Sequence, residues 1–452
     1  MLDSVYAYVD GHAERFIDEL CGFIRQPSRT GLLDEVRACA MYAADLGRRA
    51  GWQAEVVDVD QLAPIVFLER AAPPGCPTLL LYSHYDVISP EPVDEWTYPP
   101  FAATRVDGRV VGRGTTDAKA NVLALVKGVE SLVATRGEPP CGLKLILDGE
   151  EERGSANLPS FVDGWRERLA ADAALSFDGG IDPSGVPKVG LGTSGMLYVE
   201  LEAHGAKKEL HSAGARLYAN PAWRLTWALA SIKGPDERVL IDGFYDPVVP
   251  PTPEDRALMA AMPWDDARQL EEAGLPEFLT GVRGVAAVER LLFQPGLAVC
   301  GVAAGYTGPG PKAVIPNRAL AKLEFRIVPD QTPEGVVEQL RRHLERHGFA
   351  DIQVRTLATV ETAKTSSDAG IVSATVEAAR RLYGEPMLKP TEEFAGRQGA
   401  WLGARLEVPG VQTGIGPPGH RGHATDEFVT EEHFIKGIKF AATILDRYAA
   451  SS

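Results

Sequence analysis

Long apolar runs, paired cysteines and an excess of positive charge are all missing from this chain. The 452 residues include five scattered cysteines (Cys21, Cys39, Cys76, Cys141 and Cys300) and no Cys-x-x-Cys pair. That usage suits a reducing cytosol and leaves the cysteines as packing residues. No stretch is long enough and apolar enough to span a bilayer. The opening Met1-Leu2-Asp3-Ser4-Val5-Tyr6 lacks the basic n-region and apolar h-region of a signal peptide, so a cytoplasmic location is expected. A net charge of −16 argues against nucleic acid or an anionic membrane as partner. Internal repeats and low-complexity segments are absent too. Gly192-Thr193-Ser194-Gly195 lacks the Gly-x-Ser-x-Gly spacing of a nucleophile elbow. Gly305 to Lys312 carries Pro where a phosphate loop needs its Lys, and no Ser or Thr follows that Lys.

What is present is a soluble globular composition, 45% apolar and 24% charged, in a chain too long for one ordinary core. From residue 1 to about 190, strand-like and helix-like patterns alternate, as in a doubly wound α/β domain with a mostly parallel sheet. The character changes around Gly190 to Gly195. A strand over Leu197–Ala203 and a helix over Pro221–Ile232 follow, then a long acidic, Pro-rich insertion. Beyond it come a strand over Leu320–Val328, a helix over Pro333–His347 and a strand over Ile352–Leu357. This β-α-β-β-α-β order predicts an inserted α+β ferredoxin-like domain. The expected division is 1–191 for the first part of the larger domain, 192–363 for the insert, and 364–452 for the resumed larger domain, with a helix over Ile371–Tyr383.

The chemistry lies at the ends of the predicted strands. Thr78-Leu79-Leu80-Leu81-Tyr82 reads as a buried strand and runs into Ser83-His84-Tyr85-Asp86. One His and one Asp in a loop would by themselves be an ordinary pair, but similar strand ends recur. Gly112-Arg113-Gly114-Thr115-Thr116-Asp117-Ala118-Lys119 precedes a helix-like run. Leu143-Lys144-Leu145-Ile146-Leu147 leads into Asp148-Gly149-Glu150-Glu151-Glu152, and Ala173 to Phe177 leads into Asp178. The C-terminal ends of parallel strands are where open α/β sheets bind ligands. Asp86, Asp117, Glu151, Glu152 and Asp178 cannot share one crevice fully ionised without cations, and two divalent metals would compensate them.

These four segments, with the late stretch His423-Ala424-Thr425-Asp426-Glu427, resemble the dizinc peptidases of the M20 metallopeptidase type. That family includes carnosinase-like and bacterial dipeptidases, carboxypeptidase G-like enzymes, aminoacylases and acyl-diaminopimelate deacylases. The likeness covers nearly the whole chain, and the ordered set of motifs carries it. It implies that His84 and Asp178 hold one metal, Glu152 and His423 the other, and that Asp117 bridges both. It makes Asp86 the partner of His84 and Glu151 the general base. His420 shares the loop with His423, but His423 with Glu427 matches the family spacing. The implied cofactors are two divalent ions, zinc first, with manganese or cobalt also suited to a carboxylate-rich site.

In the family the insert is a lid that also forms the homodimer. Glu209-Leu210-His211-Ser212-Ala213 resembles its acidic-Leu-His-Ser-Gly motif, so His211 would stabilise the oxyanion in the partner's site, with Asn220-Pro221 following as in the family. Arg326 matches the lid Arg that grips a substrate carboxylate, a task for which its fork suits better than Lys. Arg397 stands where relatives carry a Gly-Gly-Ser/Thr-like stretch and would add a substrate contact or cap the loop. Two further departures are Ala118 after the bridging Asp, where dipeptidases often have a second Asp, and Ala at 120 and 213 where Gly is common. Asp rather than Glu at position 178 leans towards amino- and dipeptidases. The resemblance thus implies hydrolysis of the peptide or amide bond of dipeptides or short peptides by a metal-activated water. The alternatives are an N-acetyl- or N-succinyl-amino-acid deacylase on the same site, or a catalytically inactive binding homologue.

Overall fold

Uninterrupted apolar runs become the central strands of the computed structural model, which describes residues 2–71, 73–395 and 398–451. Gly142–Asp148, Thr78–His84, Ala173–Phe177 and Gly410–Thr413 lie side by side in parallel. They are buried along almost their whole length, which is why they read as continuous runs and not as alternating ones. Ile65–Arg70 and Gln53–Val57 extend this sheet antiparallel on one flank, and Lys188–Gly190 with Met387–Lys389 on the other, giving eight strands. The helix Lys119–Arg136 is buried over most of its length and packs on the helix Glu431–Ser451. Gly128 allows that approach: a Cβ there would stand 3.0 Å from the Ala442 nitrogen and 3.3 Å from the Ile438 oxygen. The sheet and its helices make one of two compact units, formed by Met1–Gly192, Lys364–Pro390 and Arg397–Ser452.

The second unit comprises Thr193–Ala363 and Thr391–Gly396. Its main strands run in the order Gly296–Ala304, Arg318–Ile327, Gly192–His204, Gln353–Val360, all antiparallel. Alternate side chains of the long strands (Leu197, Val199, Leu201, Leu323, Phe325) pack with Leu225 and Leu340 of the helices Pro221–Ile232 and Pro333–Arg346. Both helices start at a capped residue, Asn220 and Thr332, followed by Pro at a position where its missing N–H costs nothing.

Two features differ from the expectation. The stretch read as an insertion holds three helices, Pro253–Ala261, Asp266–Ala273 and Val285–Phe293, and then the edge strand Gly296–Ala304. The first helix opens on a capping box between Thr252 and Asp255. The edge strand carries two glycines and three alanines and is half-exposed on both faces, so it has neither strong β propensity nor alternation. Residues 391–395, assigned to the resumed larger domain, pack with the second unit because Glu392–Ala395 pairs parallel to the strand at Thr193 and Ser194. Among the described residues no helix is long and apolar enough to cross a membrane.

Candidate metal centre

Three of the five candidate ligands, His84, Glu152 and Asp178, sit where a buried strand stops. His84 is the last residue of its strand, in register with Asp148, the last residue of the neighbouring one. Glu151 and Glu152 follow in a single 3₁₀ turn, and Asp178 follows the strand Ala173–Phe177. Gly149 makes this tight exit possible, since a Cβ there would lie 2.4 Å from the Tyr85 hydroxyl and 2.8 Å from the Pro64 oxygen. Asp117 arrives from the loop before the helix Lys119–Arg136, and the Asp117–Ala118 peptide is cis.

The donors converge into two triads that share one residue. His84 Nε2 lies 2.9 Å from Asp117 Oδ1 and 3.4 Å from Asp178 Oδ1. His423 Nε2 lies 3.1 Å from Asp117 Oδ2 and 3.1 Å from Glu152 Oε2. Thus one oxygen of Asp117 faces each imidazole, and each triad can place its ligand atoms within 4.8 Å of one another. His84 Nδ1 meets Asp86, 3.2 Å from its carbonyl and 3.3 Å from Oδ1. Asp86 also accepts the backbone N–H groups of Glu151 at 3.1 Å and Glu152 at 3.2 Å, so the same carboxylate orients the imidazole and fixes the acidic turn.

The electrostatics are those of crowded anions. Burial pushes the Glu151 carboxyl up to about 8; His84 opposes this, while Asp178, Asp117 and Glu152 add to it. Burial likewise raises Glu152. Burial also works against the charge of Asp117, but hydrogen bonds from His423 and His84 outweigh it and hold this carboxyl well below its ordinary value. His84 loses by burial and gains more from Asp178, Asp117 and Asp86, ending well above an ordinary imidazole. His423 is raised to about 10 by its hydrogen bonds to Asp117 and Glu152.

Divalent cations fit this donor set. A tetrahedral zinc with bonds of about 2.0–2.1 Å separates its ligand atoms by about 3.3 Å, and the four imidazole–carboxylate separations run from 2.9 to 3.4 Å. Glu152 Oε1 is buried with no hydrogen-bond partner among the described residues, an orphaned acceptor that a cation would satisfy. Each triad supplies three protein ligands, the number typical of catalytic zinc, where structural zinc has four.

His423 and His420 separate clearly. His420 Nδ1 accepts the Gly422 N–H at 2.9 Å, whereas His423 reaches both carboxylates. His423 does so from a backbone φ of 62°, a left-handed conformation that a non-glycine residue rarely holds. Glu427 was noticed in the sequence only for its spacing, and its task is structural. Fully buried, it accepts from Arg113 at 2.7 Å and from the N–H groups of Gly114 at 3.0 Å, Thr116 at 2.8 Å and Asp117 at 3.1 Å. Asn121 adds a second brace, donating to Thr116 O at 3.0 Å and accepting from Ile415 N–H at 3.0 Å. A buried acid joined to a run of backbone donors has no local sequence pattern, which is why the bracing role of neither residue was read from the sequence.

The other candidates belong to the second unit. His211 is exposed at the end of a two-residue strand, its Nδ1 accepting the Ala213 N–H at 3.1 Å. Asn220 Oδ1 caps the helix Pro221–Ile232 through the Ala222 N–H at 2.9 Å, a local role sufficient to explain the residue. Arg326 lies on the strand Arg318–Ile327 with Nε donating to Glu324 at 2.7 Å. Arg397 lies outside the described residues.

Known proteins carry the same frame. The profile of peptidase family M20/M25/M40 matches residues 80–447. A β-Ala-His dipeptidase of Homo sapiens is 29% identical over 369 residues, covering 76% of this chain and 71% of that protein. A Cys-Gly metallodipeptidase of Schizosaccharomyces pombe is 24% identical over 485 residues, covering 100% of this chain and 99% of that one. Among solved structures, an M20 family metallo-carboxypeptidase from Sulfolobus solfataricus matches with a TM-score of 0.85 at 31% identity, over 96% of this chain and 99% of the other.

Proposed function

Since the chain belongs to peptidase family M20/M25/M40, we propose that this metallopeptidase is a dipeptidase working through two divalent cations, zinc in our assignment. The observation that carries the reading is the position of Asp117, one oxygen towards His84 and the other towards His423. His84, Asp178 and Asp117 would hold one cation, and Glu152, His423 and Asp117 the other. Bound there, they supply the positive charge that makes a water acidic near neutral pH and polarises the scissile carbonyl.

The protein's own residues do the rest. Glu151 takes the proton of the attacking water and returns it to the departing amine, a general base becoming a general acid. A carboxyl raised by burial is suited to that exchange, and cations beside it bring its value down from the metal-free one. Asp86 holds His84 in one tautomer with Nε2 towards the cation. From the family resemblance alone, His211 donates to the developing oxyanion in the site of a partner copy, Arg326 takes the substrate carboxylate, and the second unit forms a homodimer. A cytoplasmic location belongs to the same proposal.

The human and yeast relatives are both called dipeptidases, which supports the substrate class. A second reading has its own support: the Sulfolobus relative is called a carboxypeptidase, and removal of a C-terminal residue does not require a free amino terminus. One matched pair separates them. Metal-loaded protein should cleave a dipeptide with a free amino group, lose that activity to a chelator, and leave the N-acetylated compound intact. Cleavage of the acetylated compound alone would overturn the dipeptidase reading in favour of a carboxypeptidase or deacylase.

A further inference from the structure

Among the described residues two lysines are shut off from solvent, Lys119 at 0% and Lys127 at 1% exposure, both on the helix Lys119–Arg136 of the first unit. They are held in different ways. Lys127 Nζ meets the carboxylates of Glu19 and Glu130, the second at 2.6 Å, the ordinary means of burying a cation. No carboxylate comes within ion-pair distance of Lys119 among the described residues. Its ammonium donates instead to the carbonyl oxygens of Gln26 at 2.6 Å and Phe23 at 3.3 Å. It also stands 5.2 Å from the centre of the Phe23 ring and beside the buried Cys39 thiol.

Nothing local favours a charge here. Lys119 opens its own helix, where the aligned peptide dipoles repel a cation, and no side chain caps that end. Burial without a counter-charge adds a further cost. The compensation is tertiary. Phe23 and Gln26 belong to the end of the helix Ala13–Ile24, whose free carbonyls attract a cation. The Lys119 N–H donates to Gly114 O at 3.0 Å, and a Cβ at Gly114 would lie 3.4 Å from Lys119 Cδ, so the lysine stem runs against the loop that delivers Asp117. That loop is held on another side by Glu427, which accepts the N–H groups of Gly114, Thr116 and Asp117. Glu427 and Asp86 both act on the Lys119 charge from farther off. Behind the candidate ligands, then, two carboxylates (Asp86 and Glu427) are matched by two cations, Arg113 and Lys119.

We propose that Lys119 is a positioning residue of the metal centre: it ties the Gly114–Asp117 loop to the end of the helix Ala13–Ile24 and so fixes where Asp117 presents its two oxygens. The proposal rests on the two-cation reading and adds to it a residue that touches neither cation nor substrate.

The test sets Lys119→Met against Lys127→Met in the full chain. Each keeps most of the stem and removes one buried charge, and the two positions are about 12 Å apart along the helix. Both variants should melt at lower temperature than the wild type. Only Lys119→Met should bind zinc more weakly, by about 10–100-fold in competition with a chromogenic chelator, the usual cost of losing a group behind a metal ligand. It should also lower kcat with KM unchanged. Zinc affinity equal to that of the wild type, or an equal loss in Lys127→Met, would overturn the proposal. Hydrogen exchange on the wild type decides the matter if Lys119→Met does not fold. Zinc loading should slow exchange in residues 21–27 as well as in 112–121, since a tie that orders one end orders the other. Protection confined to 112–121 would refute the tie. A wild type that binds no zinc would overturn the two-cation reading and this proposal with it, whereas two ions bound with no regard to Lys119 would overturn the proposal alone.

Discussion

His84 and His423 meet the same aspartate at nearly the same distance, 2.9 and 3.1 Å, from opposite kinds of support. The His84 side chain is fully buried at the end of a central strand, with parallel neighbours on both sides and Asp86 behind it. The His423 side chain is 56% exposed, in a loop, on a left-handed backbone that costs on the order of 1–3 kcal/mol. One half of the centre is therefore preformed by the sheet, and the other is assembled by a loop. Glu427 connects the two, since it closes the 423–427 stretch and binds the backbone of the segment that delivers Asp117.

The comparison can be broken outright at its shared residue. Asp117→Asn should empty both positions, with metal content by plasma emission falling from two ions per chain towards none and turnover falling to background. A variant that keeps two ions would show that Asp117 does not bridge. Next in size, Glu151→Gln should cost about 10²–10⁴ in kcat, the usual worth of a general base, with two ions retained. Full activity would remove Glu151 from that role.

Glu427→Ala attacks the connection and not the chemistry. It leaves the Arg113 guanidinium, buried to 3% side-chain exposure, without its partner. Removing one member of such a pair costs about 3–5 kcal/mol, measurable as a shift in denaturant midpoint. A change below about 1 kcal/mol would mean that the loop is held by other contacts.

The smallest effect is a proton count. In the metal-free protein His423 is raised from 6.5 to about 10, so its proton contributes stability that is complete below pH 6.5 and lost as pH rises through about 10. At pH 7 the imidazole carries that proton, and metal loading must expel it. Zinc titrations in buffers of different ionisation enthalpy should therefore report proton release, to which the raised His84 and Glu151 also contribute, that declines as pH approaches 10. Release independent of pH across this range would place the proton elsewhere.

How much of this was readable from the chain depends on distance along it. The strand ends were legible because each is contiguous: an apolar run such as Leu79–Tyr82 states its burial, and the polar residues just beyond it must emerge at the sheet's edge. Three strands and two helices of the insert were legible, the long strands from the alternation in Leu197–Ala203 and Leu320–Val328. The edge strand Gly296–Ala304 was not, because an exposed strand of small residues buries too little on either face to leave a pattern. Nor was the tie made by Lys119, whose acceptors Gln26 and Phe23 lie 93 and 96 positions away.

The sequence by itself determined the two kinds of layer, the family, and the supply of acids and imidazoles at strand ends, since these follow from local hydrophobic pattern and short motifs. The family spacing already favoured His423 over His420, but only the tertiary structure shows that His423 meets Asp117 and Glu152 from a left-handed backbone. It alone decided that Glu427 braces the loop of Asp117 across more than 300 positions of chain. A hydrogen bond is made over about 3 Å of space whatever the length of chain between its partners, so contacts of this kind leave no period for a sequence to display.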